Sequence, residues 1–142
     1  MKTVIFITGS KSTYPFVEAA NKKGYQTVLF DLNPNAYCKV ISDYFYSISA
    51  NDKKQIYYEI NKLKESCDYL GVICFSSSLK ALVTASYLME LLNLNGYSEK
   101  SLNITYDKNE LHEIMYRNNI NTPKRYDLNN GLENISFPCI NS

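Results

Sequence analysis

Short runs of β-forming residues that leave no regular polar face, each followed by a stretch with helical spacing, constrain this chain more than any other feature. Thr3 to Thr8 is a β-branched and aromatic run, too continuous for a half-exposed strand, and it ends at Gly9. That pattern predicts a buried parallel strand. Phe16, Val17, Ala20 and Lys23 follow at helical spacing, with Pro15 allowed in the first turn and Gly24 placed to end the helix. Gln26 to Phe30 reads as the second strand, halted by the turn formers Asp31-Leu32-Asn33-Pro34-Asn35. Tyr44 to Ile48 makes a short third strand. Ile56, Ile60, Leu63 and Lys64 then recur at i, i+4, i+7 and i+8 of an amphipathic helix from Asp52 to Glu65, with Asn51 as its cap. Asp68 to Phe75 is the fourth strand, apolar on both faces through Tyr69-Leu70-Gly71-Val72-Ile73-Cys74, which points to the centre of the sheet. Ser76-Ser77-Ser78 leads into a helix from Leu79 to Leu92, whose apolar face is read as Leu82, Val83, Leu88, Leu91 and Leu92. The expected fold is α/β, a three-layer, Rossmann-like parallel sheet with helices on both faces and right-handed crossovers.

Composition narrows the partners. With 142 residues and 45% hydrophobic content the chain is long enough for one core of its own. Fifteen basic against 14 acidic side chains give a net charge of +1, so no global field draws in a nucleic acid or an anionic membrane. No apolar run approaches the roughly 20 residues of a membrane span, and the amino terminus enters a strand directly, which leaves a cytoplasmic location as the expectation. Cys38, Cys67, Cys74 and Cys139 are scattered, without a C-x-x-C pair and with a single histidine as co-ligand, so they read as reduced thiols and no metal site is expected.

In open parallel sheets ligands gather outside the carboxyl ends of the strands, where free amides and helix amino termini converge. Three loops fall there. In the first, Gly9 permits a sharp turn, and the amides and hydroxyls around Ser10, Ser12 and Thr13 suit a phosphate or carboxylate beside Lys11. Only the first glycine of G-x-G-x-x-G is present and no Walker pattern exists, so a plain tight turn explains the same residues. In the second loop Asp31 follows Gly9 at the spacing where dinucleotide-binding folds place a ribose-binding acid, although turn and capping work is the preferred reading. The third is Ser76-Ser77-Ser78, able to donate hydrogen bonds to a carboxylate or to cap the next helix. A serine nucleophile is disfavoured, because the lone His112 lies in an unrelated helical segment.

The last third has its own layout. Asp107-Lys108 opens a helical pattern, Asn118-Asn119 closes it, Thr122-Pro123 begins a further strand, and Phe137-Pro138-Cys139-Ile140 precedes Ser142. Asp107 with Glu110 forms a capping box, whereas Lys108 in a first turn opposes the helix dipole and gains nothing locally. Leu111, Ile114 and Met115 should face inward, His112 should be solvated, and Asn119 should take the left-handed conformation that ends the helix.

This layout resembles the passage by which ATP-grasp ligases leave their amino-terminal domain: D-K, a helix, G-I/V-P-x-P, a strand, then F-P-x-I-x-K, with Ser142 here in the place of the last lysine. Asp31-Leu32-Asn33-Pro34-Asn35-Ala36 is similar to the family's D-x-N-P-x-A, and Ser76-Ser77-Ser78 to its G-S-D/E, with Ser78 at the acidic position. The resemblance implies a pre-ATP-grasp domain over residues 1–120, and a linker with the first strand of an incomplete ATP-grasp domain over 121–142. It further implies a carboxylate–amine ligase of the carbamoyl phosphate synthase and biotin carboxylase group, which makes an acyl phosphate from ATP with magnesium. Lys108 would contact nucleotide, and Gly9, Ser10, Lys11, Asp31, Ser76, Ser77 and Ser78 would face the small-molecule carboxylate substrate. The catalytic residues and the holders of ATP and magnesium would belong to the missing catalytic domain, the chief partner, so the chain would neither hold these cofactors nor turn over alone; a homodimer is also compatible. Two other readings stand beside it: a stand-alone Rossmann-type module for a nucleotide or small anion, and an interaction domain that docks on a separate catalytic subunit through Tyr126 to Ile140.

Overall fold

The computed structural model describes residues 1–124. Its elements run β1 (Lys2–Ile7), α1 (Tyr14–Lys22), β2 (Gln26–Phe30), a 3-10 turn (Lys39–Ile41), β3 (Tyr44–Tyr46), α2 (Lys53–Lys62), β4 (Asp68–Cys74), α3 (Leu79–Leu91), α4 (Glu99–Tyr106) and α5 (Lys108–Arg117). The chain divides into two units, one spanning Met1–Tyr106 and one from Asp107 onward.

In the first unit the strands form a parallel sheet in the order β3-β2-β1-β4. The unbroken apolar run of β1 is explained by its two neighbours and its two covered faces. Val4 and Phe6 pack with Leu29, Val17 and Ala20 on the α1 side. Ile5 and Ile7 pack with Val28, Phe30, Ile56, Ile60, Ala85 and Leu88 on the side of α2 and α3. Ile5, Phe6 and Ile7 are wholly buried, as a strand with no solvent face requires. The expected three-layer parallel α/β architecture is therefore the observed one.

Among the described strands, β4 departs from expectation by lying at the edge of the sheet rather than at its centre. Its apolar character has a different cause: Val72 joins the core under α3, while Ile73 packs on the opposite cluster under α1. Burial of both faces and lateral position are independent in a sheet sandwiched between helices. Helix α3 also differs from the sequence reading. Its buried face is Ala81, Thr84, Ala85, Leu88 and Met89, while Leu82 and Val83 are half-buried and Leu91 is exposed. Small side chains allow this helix to lie close against β1 and β4. Asp52, not Asn51, caps α2, its Oδ1 accepting from the Gln55 amide at 3.0 Å. Helix α4 had no counterpart in the sequence reading; Ser98 starts it by accepting from the Ser101 amide at 3.1 Å, and Leu102 is its buried contact.

In the second unit, Asp107 Oδ1 accepts from the amides of Asn109 and Glu110 at 2.9 and 3.1 Å, capping α5 as expected. Asn119 has φ 55°, the left-handed conformation foreseen for it. Leu111, Ile114 and Met115 are half-buried. His112 is not simply solvated: its Nε2 lies 3.1 Å from Thr122 Oγ1 and 3.0 Å from the Pro123 carbonyl oxygen. Thr122 to Lys124 have no regular structure, and the rest of the strand expected from Thr122-Pro123, with Cys139 and the Phe137-Pro138-Cys139-Ile140 segment, lies outside the described residues.

Candidate functional site

At the carboxyl ends of β1 and β4 a cleft of about 640 Å³ is lined by Thr8, Ser10, Ser12, Cys74, Phe75, Ser76 and Ser77. Among the described residues, no acidic side chain and no cation lines it. Its first wall is the loop after β1, which is anchored on several sides. Gly9 donates its amide to Asp31 Oδ2 at 2.7 Å, and its carbonyl accepts from the Cys38 amide at 3.1 Å. The Cys38 thiol donates to the Ser10 carbonyl at 3.2 Å. A side chain at Gly9 would lie 2.9 Å from Leu29 Cδ2 and 3.3 Å from Ala36 Cβ. The glycine thus allows the loop to lie flat on β2 and the segment after it, which is a packing role.

Asp31 works behind the cleft. One carboxylate oxygen holds the Gly9 amide and the other accepts from the Asn33 amide at 2.8 Å, so the side chain ties the first two loops together. This is the turn-forming role favoured from sequence, and it engages both oxygens with main-chain amides. The Gly9 amide is likewise committed and unavailable to an anion. By contrast, the amides of Ser10, Lys11 and Ser12 donate to no partner among the described residues. These three successive free donors lie just before α1, where the start of a helix favours a negative charge.

The second wall is Phe75-Ser76-Ser77. Ser76 Oγ accepts from the Ser78 amide at 3.1 Å, and the Ser77 carbonyl accepts from Tyr106 Oη at 2.7 Å. Ser78 turns away to cap α3, accepting from the Ala81 amide at 3.5 Å. Of the residues read from sequence, Ser10, Ser12, Ser76 and Ser77 line the cleft, Gly9 and Asp31 shape it from behind, and Lys11 and Ser78 are not among its lining residues. Lys108 belongs to the second unit, in the first turn of α5.

The sequence reading missed features of Thr8 and Cys74, which line the cleft, and of Tyr97, which lies near Cys74. Thr8 has φ 74°, a left-handed conformation costly for a β-branched residue, and its buried Oγ1 has no hydrogen-bond partner. Tyr97 Oη is similarly buried and unpartnered. Burial pushes the Cys74 thiol up to about 11. Burial also raises the Tyr97 phenol to about 12, with a smaller contribution from Cys74. Both groups are protonated at neutral pH, so Cys74 lines the cleft as an inert thiol and not as a nucleophile. Thr8 was visible in sequence only as the residue before Gly9; its dihedral angle arises from the pinned loop.

Among the described residues no three His, Cys, Asp or Glu side chains gather in a way that would hold a metal ion. No helix among them is long and apolar enough to cross a membrane.

Neither a protein-family model nor a curated protein matches the sequence. Solved structures do match the fold. Phosphoribosylglycinamide synthetase from Anaerococcus prevotii aligns over 96% of this chain and 35% of its own, with 20% identity and a TM-score of 0.72. N5-carboxyaminoimidazole ribonucleotide synthetase from Thermotoga maritima aligns over 97% of this chain and 37% of its own, with 21% identity and a TM-score of 0.65. N5-carboxyaminoimidazole synthetase from Staphylococcus aureus, complexed with ADP, aligns over 81% of this chain and 29% of its own, with 21% identity and a TM-score of 0.58. The chain spans about a third of the length of these proteins, and the match falls on the amino-terminal part of ATP-grasp ligases. At this identity the likeness establishes the fold.

Proposed function

We propose that this chain is the amino-terminal domain of an ATP-dependent carboxylate–amine ligase, of the carbamoyl phosphate synthase-like kind, and that its cleft receives the small carboxylate to be activated. The observation that carries the reading is the cleft itself: the hydroxyl-bearing Ser10, Ser12, Ser76 and Ser77, two of them with free amides, line a space with no acidic side chain among the described residues. Such donors hold a carboxylate by hydrogen bonds and by the adjoining helix start, and leave it reactive because no cation neutralises it. Fold similarity to ligases whose chains continue well beyond the matched region supports a second, catalytic domain as the partner.

In this reading the chain's own residues bind and orient the acid. Asp31 and Gly9 fix the loop, Ser78 fixes the start of α3, and Lys108 reaches the nucleotide. ATP supplies the phosphoryl group that activates the acid; the residues that grip it, and those that hold magnesium, belong to the catalytic domain. The domain alone is inactive, and the boundary near residue 120 leads into that second half. A cytoplasmic setting suits the reduced thiols that such a domain carries.

Titration of the 142-residue chain with simple carboxylates, ATP and NAD, followed by calorimetry and by amide NMR shifts, tests the reading. Carboxylates should shift the amides of Ser10, Ser12, Ser76 and Ser77, and NAD should not bind. Tight NAD binding would replace the proposal with the stand-alone dinucleotide module.

A further inference from the structure

Beside the hydroxyl-lined floor lies a pair of aromatic rings. Phe75, the residue that follows β4, lines the cleft and is 54% exposed, and Phe16, in the first turns of α1, is 41% exposed. Their ring centroids are 5.5 Å apart with planes tilted by 34°. Single exposed apolar side chains are ordinary on protein surfaces. Two phenyl rings packed on one another at the rim of a polar cleft are a different arrangement: one ring is part of the wall, and a face of it is available to whatever enters. The remaining wall is neutral, with hydroxyls, a protonated thiol and free amides, and no lysine or arginine among its lining residues. That composition suits one negative charge rather than the double charge of a phosphate ester, which is held best by cationic side chains.

We infer that the cleft selects a small monocarboxylate carrying an apolar, preferably aromatic, substituent, with the carboxylate on the amides and hydroxyls and the substituent on Phe75, which Phe16 supports from behind. The inference rests on the cleft being a carboxylate site and adds the class of acid. Two ends of the ligand are recognised by two chemistries: hydrogen-bond donors orient the charged end, and the aromatic wall excludes water from the other. An acid with a charged or strongly hydrated substituent would leave that substituent unpaired against a phenyl ring and bind less well.

The 142-residue chain titrated with acetate, phenylacetate, phenylacetamide and benzyl phosphate, read through the amide shifts of Ser10, Ser12 and Ser76, provides the test. Phenylacetate should bind about tenfold or more tightly than acetate, as expected from removing part of two phenyl surfaces from water. Phenylacetamide and benzyl phosphate should bind more weakly than phenylacetate. Phe75→Ala should bring the phenylacetate-to-acetate ratio close to one, and Phe75→Tyr should retain the preference. Equal affinity for the two acids, a preference that survives Phe75→Ala, or stronger binding of the amide or the phosphate would each overturn the inference while leaving an anion cleft. If neither acid shifts any of these amides, the carboxylate-site reading itself falls, and the inference with it.

Discussion

Thr8 offers the sharpest test of how the cleft is built, because the structure places a strained backbone and an unpaired hydroxyl in one residue. A left-handed conformation costs a β-branched side chain about 1–2 kcal/mol. A buried hydroxyl without a partner costs roughly 1–3 kcal/mol more. Thr8→Gly removes both terms but returns about 1 kcal/mol as backbone entropy and loses the packing of one methyl group, worth up to about 1 kcal/mol. The net expectation is a gain of about 1 kcal/mol, or about 4 °C in melting temperature for a domain of this size. Thr8→Val removes only the hydroxyl and keeps both the strain and the packed volume, so it should gain about 1–3 kcal/mol, at least as much as the glycine variant. Thermal melts by circular dichroism, with urea midpoints as a check, give the order directly. A glycine variant less stable than the wild type would refute the strain argument, and a valine variant that loses stability would show that the hydroxyl has a partner.

Other expectations follow from the same geometry. Asp31→Ala leaves the Gly9 and Asn33 amides unpaired and should cost about 2–4 kcal/mol in urea unfolding, with Asp31→Asn losing roughly half as much. Gly9→Ala pushes a methyl group against Leu29 and Ala36 and should cost about 1–3 kcal/mol, with the damage visible as shifted Leu29 methyl resonances. Stability should fall at alkaline pH. The Cys74 thiol is raised by burial from 9.0 to about 11, and the Tyr97 phenol from 10.0 to about 12. Because both folded values lie above the unfolded ones, their contribution is complete below pH 9 and is lost as pH climbs through the folded values, first for Cys74 and then for Tyr97. Urea midpoints measured across that range should decline in the wild type and decline less in Cys74→Ala; a flat profile would contradict the burial of these groups.

Much of the architecture was legible residue by residue. The unbroken apolar run of β1 demanded neighbours on both sides and cover on both faces, and Gln26 to Phe30 matches β2 at both ends. Asp107, Gly24 and Asn119 marked helix ends through local chemistry, since a short carboxylate caps amides and only certain residues tolerate a positive φ. Such signals depend on a few adjacent residues and survive without any knowledge of the fold. The lateral place of β4 did not, because an edge strand covered by helices carries the same apolar pattern as a central one. Helix α4 escaped notice because its one buried residue, Leu102, leaves almost no periodicity to detect.

The candidate site divides along the same line. Sequence alone determined that Ser10, Ser76 and Ser77 would stand at the carboxyl ends of parallel strands, for strand order and chain direction bring those loops to one rim whatever their details. Only the tertiary structure decided that Asp31 would also hold the Gly9 amide of the first loop, and that Phe75 would stand open beside Phe16. The physical reason is distance along the chain: hydrogen bonds and ring contacts between residues 22 to 59 positions apart depend on how whole elements pack, and no local pattern encodes them.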